Sequence, residues 1–144
     1  MGLEIDSVPF VGTTTDRRTY SVFFNHVAVA GDAVELRGPA SGRARVTLIV
    51  FSKPTVAQDL RIIKRSALDT VGAFTEPVPI SHDSGDLAAR SVVRLYTAAP
   101  TLGAAVGTVA GINVAVGETL FHDVGTRNSK AYELVSGQSL ALNI

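Results

Sequence analysis

The sequence predicts an all-β chain: a single-domain antiparallel β-sandwich over residues 20–144, preceded by an extended N-terminal arm over residues 1–19. Three observations predict it. Apolar and polar residues alternate with period two in many short runs, as in half-buried strands. Turn-forming residues punctuate these runs about every ten positions, the spacing of sandwiches and small barrels. No run carries sustained helical periodicity, and no strand–helix–strand rhythm points to a parallel sheet.

The runs read in order as follows. Tyr20-Ser-Val-Phe-Phe24 sets Tyr20, Val22 and Phe24 on one face. Ala33-Val-Glu-Leu-Arg37 turns Val34 and Leu36 inward, and Gly38-Pro-Ala-Ser-Gly42 makes a turn. Arg43 to Phe51 begins by alternating and becomes continuously apolar, the pattern of a central strand covered on both faces. Asp59 to Arg65 offers Leu60 and Ile62 to one side, Arg61 and Arg65 to the other. Thr75 to Ser81 holds Val78 and Ile80 between Pro77 and Pro79; proline donates nothing to a ladder, so this segment belongs at a sheet edge. His82-Asp-Ser-Gly-Asp86 is a turn, and Leu87 to Arg90 could be a helical turn. Arg90 to Tyr96 directs Val93 and Leu95 inward. Gly103 to Val116 holds one long bent strand or two short ones, and Thr119–Val124, Ala131–Val135 and Gln138–Ile144 complete about eight or nine strands.

Composition fits one packed domain. The chain has 144 residues, 46% of them hydrophobic, enough for a core without cross-links. Cysteine is absent, which removes disulfides, thiol catalysis and thiolate metal sites. Thirteen basic residues balance thirteen acidic ones, so the whole chain carries no electrostatic footprint for nucleic acid. Charged residues are 18%, below the usual quarter or so, as expected of a surface partly covered by partners.

The opening MGLEIDSVPF has acids where a secretory signal has bases and lacks an apolar stretch, so no signal peptide is expected, and the absence of cysteine fits synthesis in the cytoplasm. Leu95 to Gly117 is uncharged, and Gly103, Gly107 and Gly111 repeat at the spacing of packed membrane helices. Pro100, the threonines, Asn113 and the weakly apolar Ala/Val content favour strands joined by a loop, so no membrane span is expected.

Catalytic and metal signatures do not emerge. His26, His82 and His122 are scattered; His82 with Asp83 and Asp86 lacks the register of a calcium loop, and His122 and Asp123 are neighbours on a strand that face opposite ways. No nucleophile elbow, phosphate loop, dinucleotide fingerprint or zinc-protease motif occurs. Catalytic, cofactor and metal residues are therefore expected to be none, and no small-molecule substrate is expected. Tryptophan is absent and tyrosines number three, too few exposed rings for a typical sugar platform. Phe10, Phe24, Phe51, Phe74 and Phe121 read as core. Phe23 is out of phase with Tyr20, Val22 and Phe24, which leaves a doubly covered strand or a partner-binding patch.

Residues 1–19 stand apart. Leu3, Ile5, Val8, Phe10 and Val11 precede a polar hinge, Gly12-Thr-Thr-Thr-Asp-Arg-Arg18. They form either a first strand and loop or an arm that lays its apolar side chains on a neighbouring subunit. With Arg17, Arg18 and Phe23, the five apolar residues make up the expected partner interface.

Three stretches carry a resemblance: Arg37-GPASGRARVTLI, Pro77-VPISHDSGDLAARSVVRLYTAAPTLGAAVGT-Val109 and Asp123-VGTRNSKAYELVSGQSLALNI. Tyr96-Thr-Ala-Ala-Pro-Thr-Leu-Gly103, the turn Pro79-Ile-Ser-His-Asp-Ser84 and the ending Leu140-Ala-Leu-Asn143 resemble a family of small β-rich structural proteins of tailed phages. The resemblance implies a jelly-roll capsid decoration, or cement, protein on the virion surface. It implies the phage major capsid protein as partner and a homodimer or homotrimer as the unit. Tail or fibre placement, and a carbohydrate-binding sandwich, are the alternative readings.

Overall fold

The computed structural model describes residues 2–8, 18–25, 29–52, 54–82, 85, 88–124 and 131–143; for residues 2–8, 18, 48, 51 and 52 it describes the backbone alone. Among the described residues there are twelve strands and no helix. They are β1 (Gly2–Val8), β2 (Arg18–Phe23), β3 (Asp32–Arg37), β4 (Arg43–Ser52), β5 (Gln58–Arg65) and β6 (Phe74–Thr75). After these come β7 (Ile80–Ser81), β8 (Val92–Tyr96), β9 (Ala105–Val114), β10 (Thr119–Asp123), β11 (Tyr132–Leu134) and β12 (Ser139–Asn143).

Two antiparallel sheets hold them. Sheet I runs β10-β4-β1-β2-β7, and β11 shares the β10 side of β4. Sheet II runs β6-β8-β3-β12-β5-β9. Val22, Val46, Ile49 and Leu134 of sheet I join Val34, Leu36, Leu60, Ile62, Val93, Leu95, Leu140 and Leu142 of sheet II in one buried cluster. The inner faces therefore pack together as a sandwich. Each buried Leu or Ile in it contributes about 1.5–3 kcal/mol.

The alternations read from the sequence set these faces. Tyr20, Val22 and Phe24 are all buried, as are Val34 and Leu36, Leu60 and Ile62, and Val93 and Leu95. The Thr75–Ser81 segment splits as the prolines demand: β6 is the outer strand of sheet II and β7 that of sheet I. Val78 and Ile80 are nevertheless exposed. Residues 105–114 form one strand, not two, and its register skips Val106 and Val109 against β5, the bulges that bend it. No helix among the described residues is long and apolar enough to cross a membrane.

Two readings change. The apolar run of β4 owes part of its pattern to a bulge. Glu4 pairs with Leu48 while Ile5 pairs with Val46, so Thr47 is an extra residue that shifts the strand's phase. Ala44, Val46 and Ile49 can then all reach the core, and Val50 faces the other way, half-buried. The N-terminal segment is the second. Gly2–Val8 is a strand of the chain's own sheet, paired along one side with β2 and along the other with β4. Of the assigned arm, residues 1 and 9–17 lie outside the described residues, among them the interface residues Phe10, Val11 and Arg17.

Candidate partner-binding face

Residues directly opposite one another in an antiparallel pair point to the same side of a sheet. In sheet I, Phe23 lies opposite Gly2, Gly2 opposite Val50, and Val50 opposite Phe121. One row thus crosses β2, β1, β4 and β10, roughly 14 Å from end to end at the usual strand spacing. Val22 and Ile49, the neighbours of this row in the chain, are core residues, so the row faces outward. Its two rings are open to solvent, Phe23 at 77% and Phe121 at 67% relative exposure. Gly2, next to Phe23, brings no side chain, and half-buried Val50 stands between it and Phe121.

The next row on this face runs Asp123, Leu48, Glu4, Ser21 and Ile80. Ile80 is 66% exposed and widens the apolar area beyond Phe23. Ser21 Oγ and His82 Nε2 share a 2.5 Å hydrogen bond that ties the residue after β7 to β2. Past the Thr47 bulge the face carries ion pairs. Glu133 on β11 accepts from Arg43 Nη1 at 3.2 Å and lies 3.6 Å from Arg45 Nε. Exposed pairs of this kind add little stability. With Asp123 and Glu4 of the second row they border the apolar Phe23–Phe121 row with charge, the composition of an interface with a polar rim.

On the reverse side of β10, His122 lies opposite Ile49. Its Nε2 is 2.9 Å from the Tyr132 hydroxyl and the rings stack 5.9 Å apart. Burial lowers the His122 pKa, against the opposing pull of Asp123. Burial also raises that of Tyr132. This pair is inner-face packing with a polar tip. Among the described residues no group of three or more His, Asp or Glu side chains is placed to hold a metal ion.

The residues expected from sequence are dispersed. Leu3 lies opposite Val22 and Ile49, and Ile5 opposite Tyr20 and Val46, all four of them buried core residues. Val8 lies opposite Arg43, and Arg18 opens β2 opposite Ser7. Phe23 alone among the eight has a described, exposed side chain. The structure places it with Phe121 and Ile80, which sequence reasoning assigned to the core or to an edge. The signal for Phe121 is its phase: Leu120 and His122 flank it, and both face inward.

No protein-family model, curated protein or solved structure matches this chain.

Proposed function

We propose that the chain is a non-enzymatic structural protein of a phage virion, which binds the assembled capsid through the outer face of sheet I and cements it. The observation that carries the reading is the Phe23–Gly2–Val50–Phe121 row, an apolar strip left open by a domain whose core is already complete. Exposed rings of this size on a small domain mark a surface that a partner covers. The resemblance of Tyr96–Gly103 and Leu140–Asn143 to small phage structural proteins supplies the class of partner, the major capsid protein.

Jelly-roll connectivity belongs to the same proposal. In its favour, the C-terminal strand β12 is inserted between β3 and β5, while the strand joining those two in sequence, β4, belongs to the other sheet. We assign the grip to the face and not to an N-terminal arm, because β1 is paired on both sides. A homodimer or homotrimer would present several such faces and bind through effective concentration. Cementing then follows mass action, since a ligand of the assembled shell stabilises it by its binding free energy.

The test is addition of purified protein to undecorated capsids. Binding with a raised disruption temperature is the expected result, and loss of both in a Phe23→Ser/Phe121→Ser variant ties the effect to this face. Folded wild-type protein that neither binds nor protects capsids overturns the reading. Binding to tails or fibres would move it elsewhere on the virion, and reproducible hits on a glycan array would replace it with a carbohydrate-binding module.

A further inference from the structure

Sheet II has a second buried layer, and it is polar. Glu35 lies between Val34 and Leu36 in β3, so its side chain points away from the sandwich core, yet it is 0% exposed. Two loops cover it. Residues 66–73 follow β5, and residues 97–104 lead into β9. Thr70 and Thr101 exchange both backbone hydrogen bonds, at 2.9 and 2.7 Å. Ser66 N donates to Ala104 O and Thr97 N to Ala73 O, each at 2.8 Å. The loops are zipped to one another as well as laid on the sheet.

Beneath them lie three carboxyl groups and two guanidinium groups. Asp32 on β3 accepts two hydrogen bonds from Arg65 of β5, at 2.5 and 3.0 Å, and a third from Asn143 Nδ2 of β12 at 2.7 Å. Glu35 accepts from Arg37 Nε and from the Tyr96 hydroxyl of β8, both at 2.8 Å, and from Asp69 N at 3.0 Å. These two carboxylates are fully provided for. Asp69, in the first loop and 1% exposed, is not. Its Oδ1 accepts from Gly103 N of the second loop at 2.7 Å and lies 3.5 Å from Arg65 Nε. Its Oδ2 is buried with no hydrogen-bond partner among the described residues.

A buried carboxylate oxygen without a donor is costly, and a proton on it removes both the charge and the orphan lone pair. Of the groups facing Asp69, Arg65 favours its charge at 3.5 Å, but the shorter bonds of that guanidinium go to Asp32. Asp32 and Glu35 repel a third negative charge, while Arg65 and Arg37 are already engaged with those two. Tyr96 donates to Glu35, and the second loop offers one backbone N–H and no charged side chain. We propose that Asp69 is a protonation-controlled latch: with its proton it holds residues 66–73 and 97–104 closed on sheet II, and loss of that proton to solvent releases them. Burial, with the added repulsion of Asp32 and Glu35, pushes its carboxyl up to about 7, against the lowering effect of the Gly103 N–H.

The latched loop is strained, as a releasable element should be. Val71 holds a φ of 59°, in the left-handed region that β-branched residues avoid, and Gly72 follows at 82°. The latch faces away from the sheet I row and goes beyond the proposed function. It is therefore tested on the free protein, without capsids.

The experiment is amide hydrogen exchange at pH 5.5 and 8.5, corrected for intrinsic rates, on wild type and on Asp69→Asn. Protection of residues 66–73 and 97–104 should fall at least about tenfold at the higher pH in wild type and stay level in the variant. Equal wild-type protection at both pH values overturns the latch, as does the same loss in the variant. Carbon-13 titration of the Asp69 carboxyl in wild type covers the case of a variant that fails to fold. A midpoint near 7 supports the latch, and one below 5 refutes it.

Discussion

Phe23 and Phe121 lie almost a hundred residues apart in the chain, yet stand in one row on the outer face of sheet I, with Gly2 and Val50 between them. Neither ring packs into the core, so neither should matter to folding. Replacing either with Ser is expected to shift the unfolding free energy by no more than about 0.5 kcal/mol. Ile49→Ala, on the other face of the same sheet, should cost about 2–5 kcal/mol. Urea titration of the three variants separates a binding face from a packing face, and a large loss on Phe121→Ser would return that ring to the core.

The standing of β1 yields the next prediction. It is bonded to β2 on one side and to β4 on the other, so removing residues 2–8 leaves two strands with a vacant place between them. That deletion is expected to abolish cooperative unfolding and the dispersion of amide resonances. A truncated chain that stays folded would show the segment to be a separable arm.

The sandwich was legible from sequence because period-two alternation is a local signal, as Val34 and Leu36, Leu60 and Ile62, and Val93 and Leu95 illustrate. The same logic failed on the opposite phase. Glu35 and Arg65 alternate with core residues and so read as solvent-facing. They are buried because irregular loops, which no periodicity announces, fold back over them. Asp32, Asp69 and Gly103 meet only through that closure, so their chain spacing carries no hint of it. The face in sheet I was half legible. Phe23 is out of phase with Tyr20, Val22 and Phe24, but its companion Phe121 sits on another strand. The cross-strand register that aligns them depends on the whole sheet.

Breaking the buried pair in that polar layer should be costly. Arg65→Met strands the Asp32 carboxylate, fully buried, with the Asn143 amide as its remaining hydrogen bond. A loss of about 3–5 kcal/mol is expected, seen as a lower urea midpoint. A loss under about 1 kcal/mol would mean that water reaches Asp32.

Global stability should also depend on pH, with a sign set by Asp69. Its carboxyl titrates at about 7 in the folded chain, against 3.8 ordinarily, so the folded state binds the extra proton between those values. Stability from this group is fully present below about pH 4 and is lost as pH rises through 7. His122 acts oppositely: burial lowers its pKa, so its contribution is present above the ordinary 6.5 and fades as pH falls. Thermal unfolding of wild type should therefore occur at lower temperature at pH 8 than at pH 6, and Asp69→Asn should narrow that gap. A wild type more stable at pH 8 contradicts the assignment.

A pair of glycines gives the sharpest test of how the loops close. A Cβ on Gly103 would sit 2.0 Å from Ala67 O and 2.7 Å from Ala67 C. Both are backbone atoms, so no rotamer change relieves the clash and one loop must move. Gly103 N also holds Asp69 Oδ1, and its carbonyl accepts from Arg65 Nη1 at 2.7 Å. Displacement therefore reaches the polar layer as well. Gly103→Ala is expected to cost about 1–3 kcal/mol from overpacking alone, and to speed amide exchange in residues 66–73. Gly107, four residues on in β9, has nothing within 4 Å of its would-be Cβ and no positive φ. Gly107→Ala should be neutral, or stabilising by about 0.4–1 kcal/mol through the unfolded chain. If the two variants unfold at the same urea concentration, the close approach of the loops at Gly103 does not hold in solution.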